Sequence, residues 1–123
     1  MKLLYLATGG ALGAVLRYFL SGRVYKFMGT AFPYGTLMVN MAACFIMGFL
    51  MSFAETKFVL SPNIRIFLMI GFVGAFSTFS TFIFETDNLI KDSEMMKALM
   101  NVGLSIFCSF LMFRVGAIAG RFL

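Results

Sequence analysis

The 123-residue chain has no histidine and no tryptophan, and only two prolines and two cysteines. Without histidine, no Ser-His-Asp set, Cys-His pair or histidine-bearing metal cluster can be assembled. Cys44 and Cys108 stand alone in apolar runs, with no second thiol at metal-ligand spacing, and read as small packing residues. Residues 9–13 carry the glycines of a nucleotide loop but follow no strand, so the match has no mechanism behind it. The chain is therefore not expected to be an enzyme. Charge is scarce as well, at 12% of residues, with five acids in all: Glu55, Glu85, Asp87, Asp92 and Glu94. None lies deep in an apolar run, which removes the intramembrane acid that proton-coupled carriers use.

What remains is apolar: 61% of the residues, with a mean hydropathy of +0.96. A soluble chain this short is mostly surface and cannot keep that much apolar area from water, so its main solvent is lipid. Ten bases against five acids give a net charge of +5, read here as bases near headgroups rather than as a nucleic-acid surface. Four segments are long enough to span a bilayer: residues 3–20, 34–54, 63–84 and 95–119. The first has the flavour of a secretory signal, but three further spans follow and it is kept as a span. The expected fold is thus all-α, one four-helix transmembrane domain over residues 1–123, with short loops and no linker. Asp92 and Ser93 are candidates to cap the fourth helix. Tyr5, Tyr18, Tyr25 and Tyr34 lie near span ends and can supply an interfacial aromatic belt.

Orientation is not decided by charge. One face collects Lys2, Lys57, Arg65, Arg114 and Arg121; the other collects Arg17, Arg23, Lys26, Lys91 and Lys97. At five against five, either one or two key bases decide the insertion, or copies insert both ways and pair antiparallel as a two-fold dimer. Gly9/Gly13, Gly10/Ala14, Gly48/Ser52 and Gly116/Gly120 are small-residue pairs four apart, which let helices approach closely.

The uncharged polar residues fall in register. Thr36 and Asn40 share one helix face in the second span; Asn101, Ser105 and Ser109 form a stripe in the fourth. Either stripe alone is common interhelical hydrogen-bonding. The third span holds Gly71-Phe-Val-Gly-Ala-Phe-Ser-Thr-Phe-Ser-Thr-Phe82, in which Phe76, Phe79 and Phe82 recur at three-residue spacing among hydroxyls. Gly71 and Gly74 weaken the helix just before the hydroxyls, and hydroxyls can satisfy backbone groups that a break near the midplane would free. Phenylalanine ring edges are the positive end of a quadrupole and can face an anion without carrying a charge. Together with amide and hydroxyl donors, they suit a small anion.

These residues resemble a known signature. Gly10-x-x-Gly13-Ala14-x-x-Arg17-Tyr18, Gly35-Thr36-x-x-Val39-Asn40 and Gly71-Phe72-x-Gly74-x-x-Ser77-Thr78-Phe79-Ser80-Thr81-Phe82 are similar to the pattern of the Fluc (CrcB-type) fluoride channels across all four spans. The resemblance implies an antiparallel, dual-topology homodimer in a bacterial inner (plasma) membrane. Each dimer would hold two pores that let fluoride leave the cytoplasm passively. It implies that Phe79 and Phe82 are ring-edge pore residues and that Asn40 is an amide donor beside them. Thr36 would continue the stripe toward the mouth, with Ser105 and Ser109 lining the pore from the fourth span. Arg17 would sit at an aqueous vestibule, and the backbone carbonyls of Gly74 and Ser77 would hold a structural sodium ion at the dimer centre. The chain departs from the pattern at Ala75 and Ala43, where glycine is common, and at Asn101, which replaces a frequent aromatic. Two alternatives stay open beside this one. A small multidrug-resistance-type transporter shares the size and charge balance but relies on an acid in its first span. A non-transporting scaffold subunit would use the polar stripes only as glue.

Overall fold

The computed structural model describes residues 1–56 and 60–122; Lys57, one of the bases counted above, lies outside the described residues. Four helices are long and apolar enough to cross a membrane, and no strand occurs among the described residues. The first, α1 (Lys2–Met28), runs well past the expected end at residue 20. No proline interrupts residues 21–28, and the helix stops only at Gly29, whose φ of 85° suits glycine. At 27 residues α1 is about 40 Å long. Arg23 and Lys26 therefore stand on helix rather than in a loop. The second helix, α2 (Tyr34–Thr56), stays close to its expected bounds.

The third membrane-capable segment, Pro62–Lys91, is built in pieces. A short α3 (Pro62–Arg65) starts at Ser61, whose hydroxyl accepts from the Ile64 amide at 3.3 Å, with proline at the first helical position. A π-helical stretch (Ile66–Val73) and a single turn, α4 (Gly74–Phe76), follow. Ser77 is extended (φ −77°, ψ 159°), and regular helix resumes as α5 (Ser80–Lys91). The last helix is α6 (Met95–Phe122). Asp92 and Ser93 do not cap α6. Asp92 ends α5, its amide donating to Asn88, and Ser93 turns the chain at φ 61°. The short connection leaves α6 to start two residues later.

Glycine contacts set the packing. The closest pair is α2 on α6: a Cβ at Gly48 would run into the carbonyl of Phe113, and one at Gly116 into the carbonyl of Phe45. The small-residue pair of each helix thus seats on backbone of the other. In the same way α1 lies on the π-helical stretch, with Gly9 against the carbonyl of Phe67 and Gly13 against that of Phe72. Gly71 faces back, its missing Cβ 3.0 Å from the Leu6 carbonyl oxygen, so this glycine serves the α1 contact. The core is Val39, Ala43, Val73 and Phe76, with Phe72 stacked on Phe76 at 6.0 Å. Many apolar side chains along α1 and α6 remain exposed on the single chain, as befits faces that meet lipid or another apolar surface.

Candidate functional site

Where regular helix gives way, the backbone needs new partners. The Ser77 amide still donates to Val73 at 3.0 Å. The Thr78 amide, which a continuing α-helix would give to Gly74, instead donates to Asn40 Oδ1 at 2.8 Å. Asn40 Nδ2 in turn donates to the Thr78 carbonyl at 2.9 Å. The Thr78 hydroxyl accepts from the Thr81 amide at 3.3 Å, covering one free donor of the first turn of α5. A buried backbone that leaves a helix is thereby satisfied by one side-chain amide and one hydroxyl.

Beside this clasp lies a cleft of about 220 Å³. It gathers Asn40 from α2, Phe79 and Phe82 from the third segment, and Ser105 and Ser109 from α6, with Ser77, Thr78 and Cys44 completing its edge. Six of the residues singled out from sequence, Ser77 among them, thus border one space. The rings of Phe79 and Phe82 stand 5.6 Å apart, tilted by 46°. Phe82 is buried at 7% exposure, whereas Phe79 is 73% exposed. The expected ladder of three rings is reduced to these two. Phe76 points the other way into the core at 1% exposure, because the extended Ser77 breaks the helical register between residues 76 and 79. Cys44, expected to be a packing residue, is half-buried at the cleft edge.

Thr36 and Arg17 are not in that cleft. They line a neighbouring cavity of about 150 Å³ with Ser21 and Thr81, and Thr78 borders both spaces. Thr36 is buried and its hydroxyl lies 3.4 Å from the Tyr25 hydroxyl, which donates to Glu85 Oε2 at 2.5 Å. Tyr25 therefore turns inward instead of serving an outer belt. Glu85 Oε1 is buried without a hydrogen-bond partner, and Tyr25 and Glu85 edge a wider cavity of about 620 Å³ that includes Glu94 and Lys97. Gly74 borders neither small cavity; its carbonyl accepts the Ser77 hydroxyl at 3.5 Å. Sequence reasoning passed over Thr78 as a clasp residue and over Tyr25 and Glu85. The first sits in plain view inside the hydroxyl motif, while the Tyr25–Glu85 pair, 60 residues apart, leaves no local signal.

Residues 4–117 match the family model described as CrcB-like protein, Camphor Resistance (CrcB), which takes in every residue of both cavities. The chain belongs to the CrcB-like family. Relatives of this CrcB-like chain are similar over nearly their whole lengths. The chain is 43% identical over 120 residues, 98% of itself and 97% of the relative, to a protein of Citrifermentans bemidjiense named fluoride-specific ion channel FluC. Proteins of the same name match at 44% over 118 residues in Geotalea uraniireducens (96% and 95% coverage) and at 41% over 122 residues in Dehalococcoides mccartyi (99% and 94%). Within this CrcB-like chain, the cleft brings two rings, one side-chain amide and several hydroxyls to a single space.

Proposed function

We propose that this multi-pass membrane protein is a fluoride-selective ion channel, not an enzyme, letting fluoride run passively out of the cytoplasm across a bacterial inner membrane. The observation that carries the reading is the cleft in which Phe79, Phe82, Asn40, Ser105 and Ser109 come together. Its relatives over nearly the full chain are named fluoride-specific ion channels, which supports the same assignment.

In this reading, donors replace the hydration shell of a small anion. Asn40 gives one amide proton to the Thr78 carbonyl, leaving a second for the ion. Ser109 offers a hydroxyl from the opposite wall, which Ser105 lines with its own proton turned to Asn101 Oδ1, and the Phe79 and Phe82 ring edges add positive quadrupole without a charge that would trap the ion. Arg17, in the neighbouring cavity with Thr36, raises anion concentration at the mouth. The working unit is two antiparallel copies in the lipid bilayer with two pores. Phe79, largely exposed on the single chain, and the five-to-five charge count both suit a second copy of opposite orientation. The helix break at Ser77 would lie near the midplane and meet its counterpart there.

A sodium ion fits the residues at that break. Among the described residues no cluster of His, Cys, Asp or Glu can hold a metal, so the donors would be backbone oxygens. The Gly74 carbonyl has lost the Thr78 amide to Asn40. The Gly74 and Ser77 carbonyls would hold the ion, which supplies positive charge to bind two break regions together. The multidrug-transporter alternative loses its essential acid, since α1 carries none.

The test is fluoride release from liposomes holding the purified protein, with an ionophore carrying compensating charge and chloride as control. Rapid fluoride release with chloride retained is expected. No release from well-folded, reconstituted protein would refute the channel and bring the scaffold reading forward.

A further inference from the structure

We propose that Asn101 is a positioning residue that, through Thr86, sets the distance between the Ser105 wall on α6 and the Phe82 wall on α5. Asn101 is 2% exposed, and its Nδ2 donates to Thr86 Oγ1 at 2.8 Å. Thr86 Oγ1 donates to the Phe82 carbonyl at 2.7 Å. On the other side the Ser105 hydroxyl donates to Asn101 Oδ1 at 3.4 Å. One directional chain thus runs Ser105, Asn101, Thr86, Phe82, from one wall of the cleft to the backbone of the other.

Direction follows from proton count. A hydroxyl has one proton, and that of Thr86 is committed to Phe82, so its lone pairs face Asn101. Asn101 meets both ends with one carboxamide, its Nδ2 donating to Thr86 and its Oδ1 accepting the Ser105 proton. Hydrogen bonds aligned head to tail polarise one another, so the link is stiffer than its parts. Among the described residues it is the one side-chain hydrogen bond between α5 and α6. Phe82 and Ser105 are each buried, at 7% and 8% exposure, and both border the same cleft of about 220 Å³. Slack between the two walls would shift the Ser105 side against the Phe82 ring, and the placement of such groups bears on selectivity.

The inference rests on the channel reading, but its first measurement does not. The full chain, labelled with ¹⁵N at its four asparagines, is solubilised in detergent, and the Asn101 side-chain amide signal is assigned by its loss in Asn101→Leu. In Thr86→Val, which keeps shape but removes the hydroxyl, that amide should exchange about tenfold faster with solvent; Thr86→Ser should restore it within about twofold. In liposomes, Thr86→Val and Asn101→Leu should each slow fluoride release about tenfold. The double variant should be no slower than either single one, and Thr86→Ser should recover the rate. An amide as slow in Thr86→Val as in the wild type overturns the link. A freed amide with unchanged release, or no recovery in Thr86→Ser, overturns the positioning role. A wild type that releases no fluoride brings down the channel reading instead, and amide exchange alone then decides whether the link exists.

Discussion

Asn40 and Thr78, 38 residues apart, hold each other through two hydrogen bonds of 2.8 and 2.9 Å, one amide answering both backbone groups of a single residue. Asn40→Leu leaves the Thr78 amide and carbonyl without partners in an apolar setting, at about 1–3 kcal/mol for each group. The expected result is a clear fall in thermal stability in detergent together with loss of fluoride release. Asn40→Asp keeps the acceptor for the Thr78 amide but drops the donor and adds negative charge beside the cleft. It should melt above Asn40→Leu yet remain silent. Melting curves that match the wild type for Asn40→Leu would show that the clasp does not hold this region.

The two rings are expected to part company in stability but not in function. Replacing either by isoleucine removes the ring edge, and fluoride release should fall by at least about tenfold, equivalent to ~1.4 kcal/mol on the barrier. Phe79→Ile should melt closer to the wild type than Phe82→Ile, since its ring packs little against its own chain. Phe82→Ile should melt lower because Phe82 is buried. Unchanged release in both variants would take the rings out of the mechanism.

Backbone contact between α2 and α6 makes a sharper forecast. At Gly48 or Gly116 even a methyl group meets a carbonyl of the facing helix, whereas nothing lies within 4 Å of a Cβ placed at Gly22 or Gly103. Gly48→Val and Gly116→Val should yield little monodisperse protein, while Gly22→Ala and Gly103→Ala should purify normally. Equal yields across the four variants would mean that the helices can separate without penalty.

Insertion in both orientations is open to labelling. In a background lacking Cys44 and Cys108, single cysteines at Thr30 and Ser61 should each react with a membrane-impermeant thiol reagent from either side of the membrane. Protection of each site from one side throughout would establish a single orientation and exclude the antiparallel pair.

Much of this architecture is legible because lipid imposes simple rules. Long apolar runs in lipid fold as helices, and of the small residues at four-residue spacing Gly48, Gly116 and Gly120 seat on backbone of the facing helix while Ser52 is buried. The convergence of Asn40, Phe79, Phe82, Ser105 and Ser109 on one cleft follows from the same periodicities. Separation of Thr36 and Arg17 into the adjoining cavity does not, because Thr78 divides the two spaces and its role depends on contacts 38 residues away. Nor does the inward turn of Phe76 follow from spacing: a three-residue repeat predicts one face only while the helix is unbroken. The length of α1 was hidden for another reason. Residues 21–28 are polar enough to resemble a loop, and nothing but Gly29 ends the helix.

The 73% exposure of Phe79 has a genetic consequence. Under the two-copy reading the exposed ring faces the other chain, and by two-fold symmetry each of the two pores holds one Phe82, so a Phe82→Ile copy paired with a wild-type copy would leave one pore working. Cells making both copies in equal amounts should therefore keep about half of their fluoride release, and a loss-of-function allele would not behave as dominant. A fall to about one quarter would mean that one altered copy closes both pores.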